Sequence, residues 1–145
     1  MKTDHSKFKG DILELKDDAF EQLFESASFP SEEFNHKNHL RLAWIHLQKY
    51  GLDQAIKNVV IQLKDYVNKL GAQDKFHMTL TVAAVHIMNH FKDKASYKDF
   101  DICLDEHPIL LNDFKKLLLA HYSPNILASN SAKQVYIKPD KLPFE

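Results

Sequence analysis

Residues 35–51 read Asn35-His36-Lys37-Asn38-His39-Leu40-Arg41-Leu42-Ala43-Trp44-Ile45-His46-Leu47-Gln48-Lys49-Tyr50-Gly51, and their spacing decides the fold class. On a 100° wheel that starts at His36, Leu40, Ala43, Leu47 and Tyr50 all lie within ~40° of it, which is the apolar stripe of a helix. Asn35 suits the N-cap, because its side-chain carbonyl can accept an orphan backbone N–H. Gly51 suits the stop, because a chain leaving a helix favours glycine's backbone freedom. The stretch predicts a helix from about residue 35 to Tyr50.

The same period continues on both sides. Upstream, Phe20, Leu23, Phe24 and Ala27 fall at i, i+3, i+4 and i+7, behind Asp17 and Asp18, whose charges suit a helix N-terminus. Phe29-Pro30 predicts the end of that helix, since the residue before proline disfavours helical geometry. Downstream, Asp53 reads as the cap of a third helix through Ala55, Ile56, Val59, Val60, Leu63, Val67 and Leu70, closed by Gly71. A fourth spans roughly His77 to Lys92. A fifth starts near Asp105 or Glu106, ahead of Pro108, and carries Leu110, Leu111, Phe114, Leu117 and Leu118 to His121. Ser123-Pro124 ends it. Residues 134–138 (Gln-Val-Tyr-Ile-Lys) form one isolated extended piece.

These elements predict an all-α, single-domain chain, an antiparallel bundle of four to five helices with an extended C-terminal tail. Residues 1–16 are a polar arm ending in an apolar patch (Ile12, Leu13, Leu15), 17–122 the helical bundle, and 123–145 a C-terminal strap. Tyr50-Gly51-Leu52-Asp53-Gln54-Ala55 resembles the turn of a tetratricopeptide, but no ~34-residue recurrence accompanies it.

Composition narrows the function classes. The 145 residues are enough for one hydrophobic core. The net charge of -1 provides no basic field for nucleic acid or anionic lipid. The N-terminus lacks the apolar run of a signal peptide, and no stretch approaches the ~18 apolar residues of a membrane span. One cysteine, Cys103, excludes an intramolecular disulfide and fits a reducing compartment. The expected address is the cytoplasm. Acidic neighbours in Asp101-Ile102-Cys103-Leu104-Asp105 make Cys103 a buried apolar residue rather than a nucleophile.

Chemistry concentrates in histidine. His36 and His39, three apart, share a helix face on which two imidazoles can converge on one ion. His77 heads the fourth helix, where the positive dipole end disfavours imidazolium and keeps a nitrogen available as ligand or base. Thr81 lies ~40° from it on the wheel and bonds either a substrate or its own i−4 carbonyl. Thr79 projects elsewhere, as a surface residue. Three histidines from two helices make an open metal site of the catalytic type, for zinc, iron or nickel, with water or a carboxylate (Glu21, Glu32 or Glu33) completing it. Trp44, His46, Thr81 and Tyr122 are the candidate walls of that pocket. His86 and His90, though spaced H-x-x-x-H, fall on the polar face with Asn89 and Asp93 and read as solvated.

Three blocks together, Phe34-Asn35-His36-Lys37-Asn38-His39-Leu40, His77-Met78-Thr79-Leu80-Thr81, and His121-Tyr122-Ser123-Pro124 with Pro139-Asp140 and Leu142-Pro143, resemble a family of small all-helical bacterial proteins without an assigned reaction. The resemblance spans roughly residues 20–143. It implies that His36, His39 and His77 belong to one site, and that the chain departs from the family pattern at Met78, where the family has glutamate. It also gives the strap a role, closing the pocket of His36 and His77 through Tyr136, Ile137, Leu142 and Phe144.

Three functions remain open on the sequence: a divalent-metal pocket with metal-bound water as the reactive group, a metal-free pocket for a small organic ligand, or a helical interaction module with core histidines. No nucleotide cofactor is indicated, and no reaction is assigned.

Overall fold

The structure, a computed structural model, describes residues 12–144; the polar arm expected at 1–11, His5 with it, and Glu145 lie outside the described residues. Among those residues every regular element is helical and none is a strand. After a single 3₁₀ turn at Ile12–Glu14, the α-helices run α1 (Asp17–Glu25), α2 (His36–Tyr50), α3 (Leu52–Lys69), α4 (Met78–Lys94), α5 (Phe100–Glu106), α6 (Ile109–Asn112), α7 (Phe114–His121), α8 (Pro124–Leu127) and α9 (Asn130–Gln134). The all-α class is as expected. The expected fifth helix is two, α6 and α7, parted at Asp113, whose side chain caps α7 by accepting the Lys116 N–H. The expected extended piece at 134–138 holds the last residue of α9 followed by irregular chain.

Local chemistry accounts for the boundaries. The Asn35 side chain accepts the Asn38 N–H at 2.9 Å, the predicted cap of α2. Gly51 ends α2 and also begins α3, so one residue joins the two helices, and Asp53 lies in the first turn of α3 rather than at its cap. Its φ of 80° with ψ of 172° is backbone that essentially only glycine adopts. At the other end of α3, Gly71 takes φ 72° while the Ala72 N–H reaches back to Val67 O at 2.8 Å.

Helix α1 stops at Glu25, before Phe29-Pro30, and Ala27 just beyond it sits in the left-handed region at φ 55°. The Ser28 N–H then returns to Leu23 O at 2.7 Å, closing the turn. An L side chain costs about 1 kcal/mol or more there. Ala27→Gly is therefore expected to stabilise the fold by about 0.5–1 kcal/mol, part of the gain being offset by the lost methyl contact and the freer unfolded chain. Urea unfolding checks it: the midpoint should rise with the slope unchanged, and a fall would show the methyl contact outweighs the strain.

The core lies where α2, α3 and α4 meet, with α1 laid across one side. Helix α2 is buried almost all round from Leu40 to Leu47, including Leu42 and Ile45 on the side away from the predicted stripe. Trp44, read as a boundary residue, is buried against Phe100. His36 and Tyr50, read as facing the core, are exposed at the two ends of the helix, beyond the elements that cover its middle. Helix α4 is likewise buried from Thr79 through Val85, the half-buried Leu80 apart. A helix covered on every face is central, and α4 is central because α9 packs on the face that α2 and α3 leave open. No helix among the described residues is long and apolar enough to cross a membrane.

Candidate functional site

The structure gives each predicted site residue a definite neighbour. His36 points Nε2 at the Leu110 carbonyl at 2.8 Å, so that nitrogen carries the proton and donates it. Its ring meets Phe114 edge-on at 4.8 Å. His39, one turn along, is close enough for a charge on His36 to oppose its own protonation. Its Nε2 is buried without a hydrogen-bond partner. Burial first, and His36 second, depress its pKa to about 4.

His77 uses both ring nitrogens. Nδ1 accepts the Leu80 N–H at 3.1 Å, making the imidazole the N-cap of α4, and Nε2 donates to Leu127 O at 3.1 Å. The nitrogen expected to stay available at this helix end is thus the cap itself. A metal bound at His77 would have to displace one of these bonds. Thr81 takes the local choice, donating to His77 O at 2.7 Å.

The expected wall residues have different surroundings. His46 is fully buried against α3, where Gln54, Asn58 and Gln62 follow one another at helical spacing. Gln54 donates to Asn58 Oδ1 at 2.8 Å, and Asn58 donates to His46 Nδ1 at 3.2 Å. Nε2 then carries the proton, and it and Gln62 Oε1 are both buried without a hydrogen-bond partner. Burial lowers the His46 pKa, against the pull of Glu21. The Glu21 carboxylate accepts from Lys49 and Tyr50, and those bonds outweigh burial and hold its pKa below the usual range. Trp44 lines a different groove of about 500 Å³ beside Lys37, Arg41 and Asp99. Among the described residues no three His, Cys, Asp or Glu side chains are grouped so as to hold a metal ion.

Thr79 departs from its reading as a surface residue. It is fully buried, and its hydroxyl donates to Val135 O at 2.8 Å while accepting the Ile137 N–H at 3.0 Å. Tyr122 donates to Ile137 O at 2.7 Å, and Ser123 N–H to Asp140 Oδ1 at 2.8 Å. The strap is thus fastened mainly through its backbone and Asp140. Of the four expected apolar anchors, Tyr136 and Leu142 are exposed while Ile137 and Phe144 are half-buried.

An opening lies under that strap. A cleft of about 690 Å³ separates α4 from α7 and residues 142–144, within the range of roughly 300–1,000 Å³ typical of small-molecule sites. Ile87, Phe91 and Leu117 give it apolar walls, and His86, His90 and His121 bring imidazoles to it. His86, read from the sequence as solvated, is half-buried and lies parallel to the Phe144 ring at 4.5 Å. Burial lowers its pKa, Asp53 opposing and His121 assisting. His90 is exposed, as read. His121 donates from Nδ1 to Leu142 O at 2.6 Å, which leaves Nε2 as its lone-pair nitrogen. The sequence signal was present in H-x-x-x-H at 86 and 90, but its apolar cover comes from residues more than fifty positions later.

Cys103 is fully buried, and burial, then Glu106, push its thiol up to about 11, so it is no nucleophile at neutral pH. Compared with family models, with curated proteins and with solved structures, the chain gives no match.

Proposed function

We propose that this protein binds a small organic molecule, without a bound metal, in the cleft between α4, α7 and the C-terminal strap. The observation that carries the reading is the cleft itself, about 690 Å³ with mixed apolar and imidazole walls. Such a combination excludes water from a ligand's carbon skeleton while offering donors and acceptors at defined points. The scaffold is read as an antiparallel bundle with α2, α3 and α4 as its long members. The one-residue link at Gly51 supports α2 and α3 reversing direction side by side. The single cysteine and the charge balance support a cytoplasmic protein that leaves nucleic acid and membranes alone.

Titrating ¹⁵N-labelled protein with a set of neutral and acidic organic fragments tests the reading. Saturable shifts should cluster at residues 86–94, 117–121 and 142–144. Filling the cleft with Ala120→Phe should weaken the best fragment about tenfold, ~1.4 kcal/mol, with little change in melting temperature. Shifts confined to other parts of the chain would sink the proposal.

A second reading keeps a divalent metal (zinc, iron or nickel) at His36 and His39, the pair that the family resemblance groups with His77. The buried, unpartnered Nε2 of His39 favours it, since such a nitrogen is stabilised by any ligand it can bind. Elemental analysis of untagged protein decides: metal should accompany the wild type and be absent from the His36→Ala, His39→Ala double variant.

A further inference from the structure

The cleft holds an occupant supplied by the chain. Phe144 lies with its ring 1° from parallel to His86, centroids 4.5 Å apart, and 4.4 Å from the His121 ring at 36°. These are separations at which flat rings attract one another. His86 comes from α4 and His121 from the end of α7, so two imidazoles on different helices both pack against one flat ring. The opening of about 690 Å³ remains with Phe144 in place. The ring therefore forms one wall of an opening that Asn89, His90 and Lys94 also line.

What holds Phe144 there is short. The strap is fixed as far as Asp140 by the Ser123, Tyr122 and Thr79 bonds. Past Asp140, the Lys141 N–H donates to His121 O at 3.0 Å, Lys141 Nζ to Leu119 O at 3.0 Å, and His121 Nδ1 to Leu142 O at 2.6 Å. Leu142 itself is 57% exposed and adds little burial. A few solvent-accessible hydrogen bonds, each worth about 1 kcal/mol net, and one half-buried ring are all that would be given up if residues 141–144 swung away.

Resting on the cleft as the ligand site, we propose that its ligand carries a planar aromatic ring that takes the place of Phe144 against His86 and His121, so that residues 141–144 are a displaceable plug. A flat ring recovers both imidazole contacts that Phe144 makes. Its substituents then extend into that opening. The plug lowers the observed affinity by the fraction of molecules in which it is closed, a cost that removing the Phe144 ring abolishes.

The test uses indole as the planar probe and cyclohexanol as a saturated ring, with wild type, Phe144→Ala and Phe144→Leu. The readouts are binding isotherms and the NMR signals of the His86, His121 and Phe144 rings. Wild type should bind indole saturably, with the His86 and His121 signals moving and those of Phe144 shifting to solvent-like positions. Phe144→Ala should bind indole about tenfold tighter or more, Phe144→Leu should fall between, and cyclohexanol should bind each form at least tenfold more weakly. Indole binding by Phe144→Ala alone would be an engineered cavity only and overturns the proposal. Equal binding of indole and cyclohexanol, or wild-type binding with the Phe144 signals unmoved, also overturns it while leaving the cleft as a ligand site. If no probe or fragment moves any residue of the cleft, the functional reading fails with it.

Discussion

Lowering the pH from 7 to 4 is expected to withdraw about 3 kcal/mol of folding stability through His39 alone. Its folded-state pKa is depressed from 6.5 to about 4, chiefly by burial and then by His36. In the unfolded chain the imidazole takes up its proton near pH 6.5. The folded chain resists until about pH 4, so between those values the unfolded state holds more protons and stability falls with pH. At about 1.4 kcal/mol per unit, the 2.5-unit window gives roughly 3 kcal/mol, complete above pH 6.5 and gone below pH 4. His46 and His86, also depressed by burial, act in the same direction. Urea unfolding of wild type and His39→Leu at pH 7, 5.5 and 4 separates the contribution. The variant should match or exceed wild type at pH 7, because it removes a buried nitrogen that has no partner. It should then lose less stability on acidification. An identical pH dependence in both proteins would show that His39 titrates normally when folded.

Truncating Phe24 is expected to cost about 3–5 kcal/mol, enough to unfold much of the population in a domain of ordinary stability. Phe24 is 1% exposed and sits at the hub of an aromatic cluster. It stacks on Phe29 at 4.3 Å and meets Tyr66, Phe20 and Phe34 at 5.3, 5.5 and 5.7 Å. Through these rings α1 is held against α3 and the segment that precedes α2, and Tyr66 adds a hydrogen bond to Phe29 O at 2.8 Å. Phe24→Ala leaves a cavity that four rings cannot close without leaving their rotamers. Phe24→Leu, which retains most of the volume, should cost clearly less. Equilibrium unfolding by fluorescence and circular dichroism checks both. A loss under 1 kcal/mol for Phe24→Ala would mean that α1 is held by something other than this cluster.

Neither residue's importance could be ranked from the sequence. Phe24 was legible as apolar at helical spacing, yet nothing in that spacing tells that Phe29, Phe34 and Tyr66 gather round it. His39 is legible as half of a histidine pair, but the burial of its Nε2 without a hydrogen-bond partner follows from what packs over α2. The candidate site was less legible than the fold. His86 reads as solvated because its own helix places it opposite the main apolar stripe. Thr79 reads as a surface residue on the same argument, and both are covered by the strap.

The sequence by itself determined the helical class, the apolar faces, the Asn35 cap, and the glycine stops at 51 and 71. Those are consequences of period, backbone freedom and hydrogen bonding within a turn or two, and neighbouring residues suffice to decide them. Tertiary structure alone decided which faces of α2 and α4 are covered, where each histidine spends its nitrogens, and where the cleft opens. His36 bonds Leu110, His77 bonds Leu127, and Thr79 bonds Val135, pairs 74, 50 and 56 residues apart. A side chain's period places it on a face of its own helix. Only the chain that returns to that face determines whether it meets water, a carbonyl or a ring.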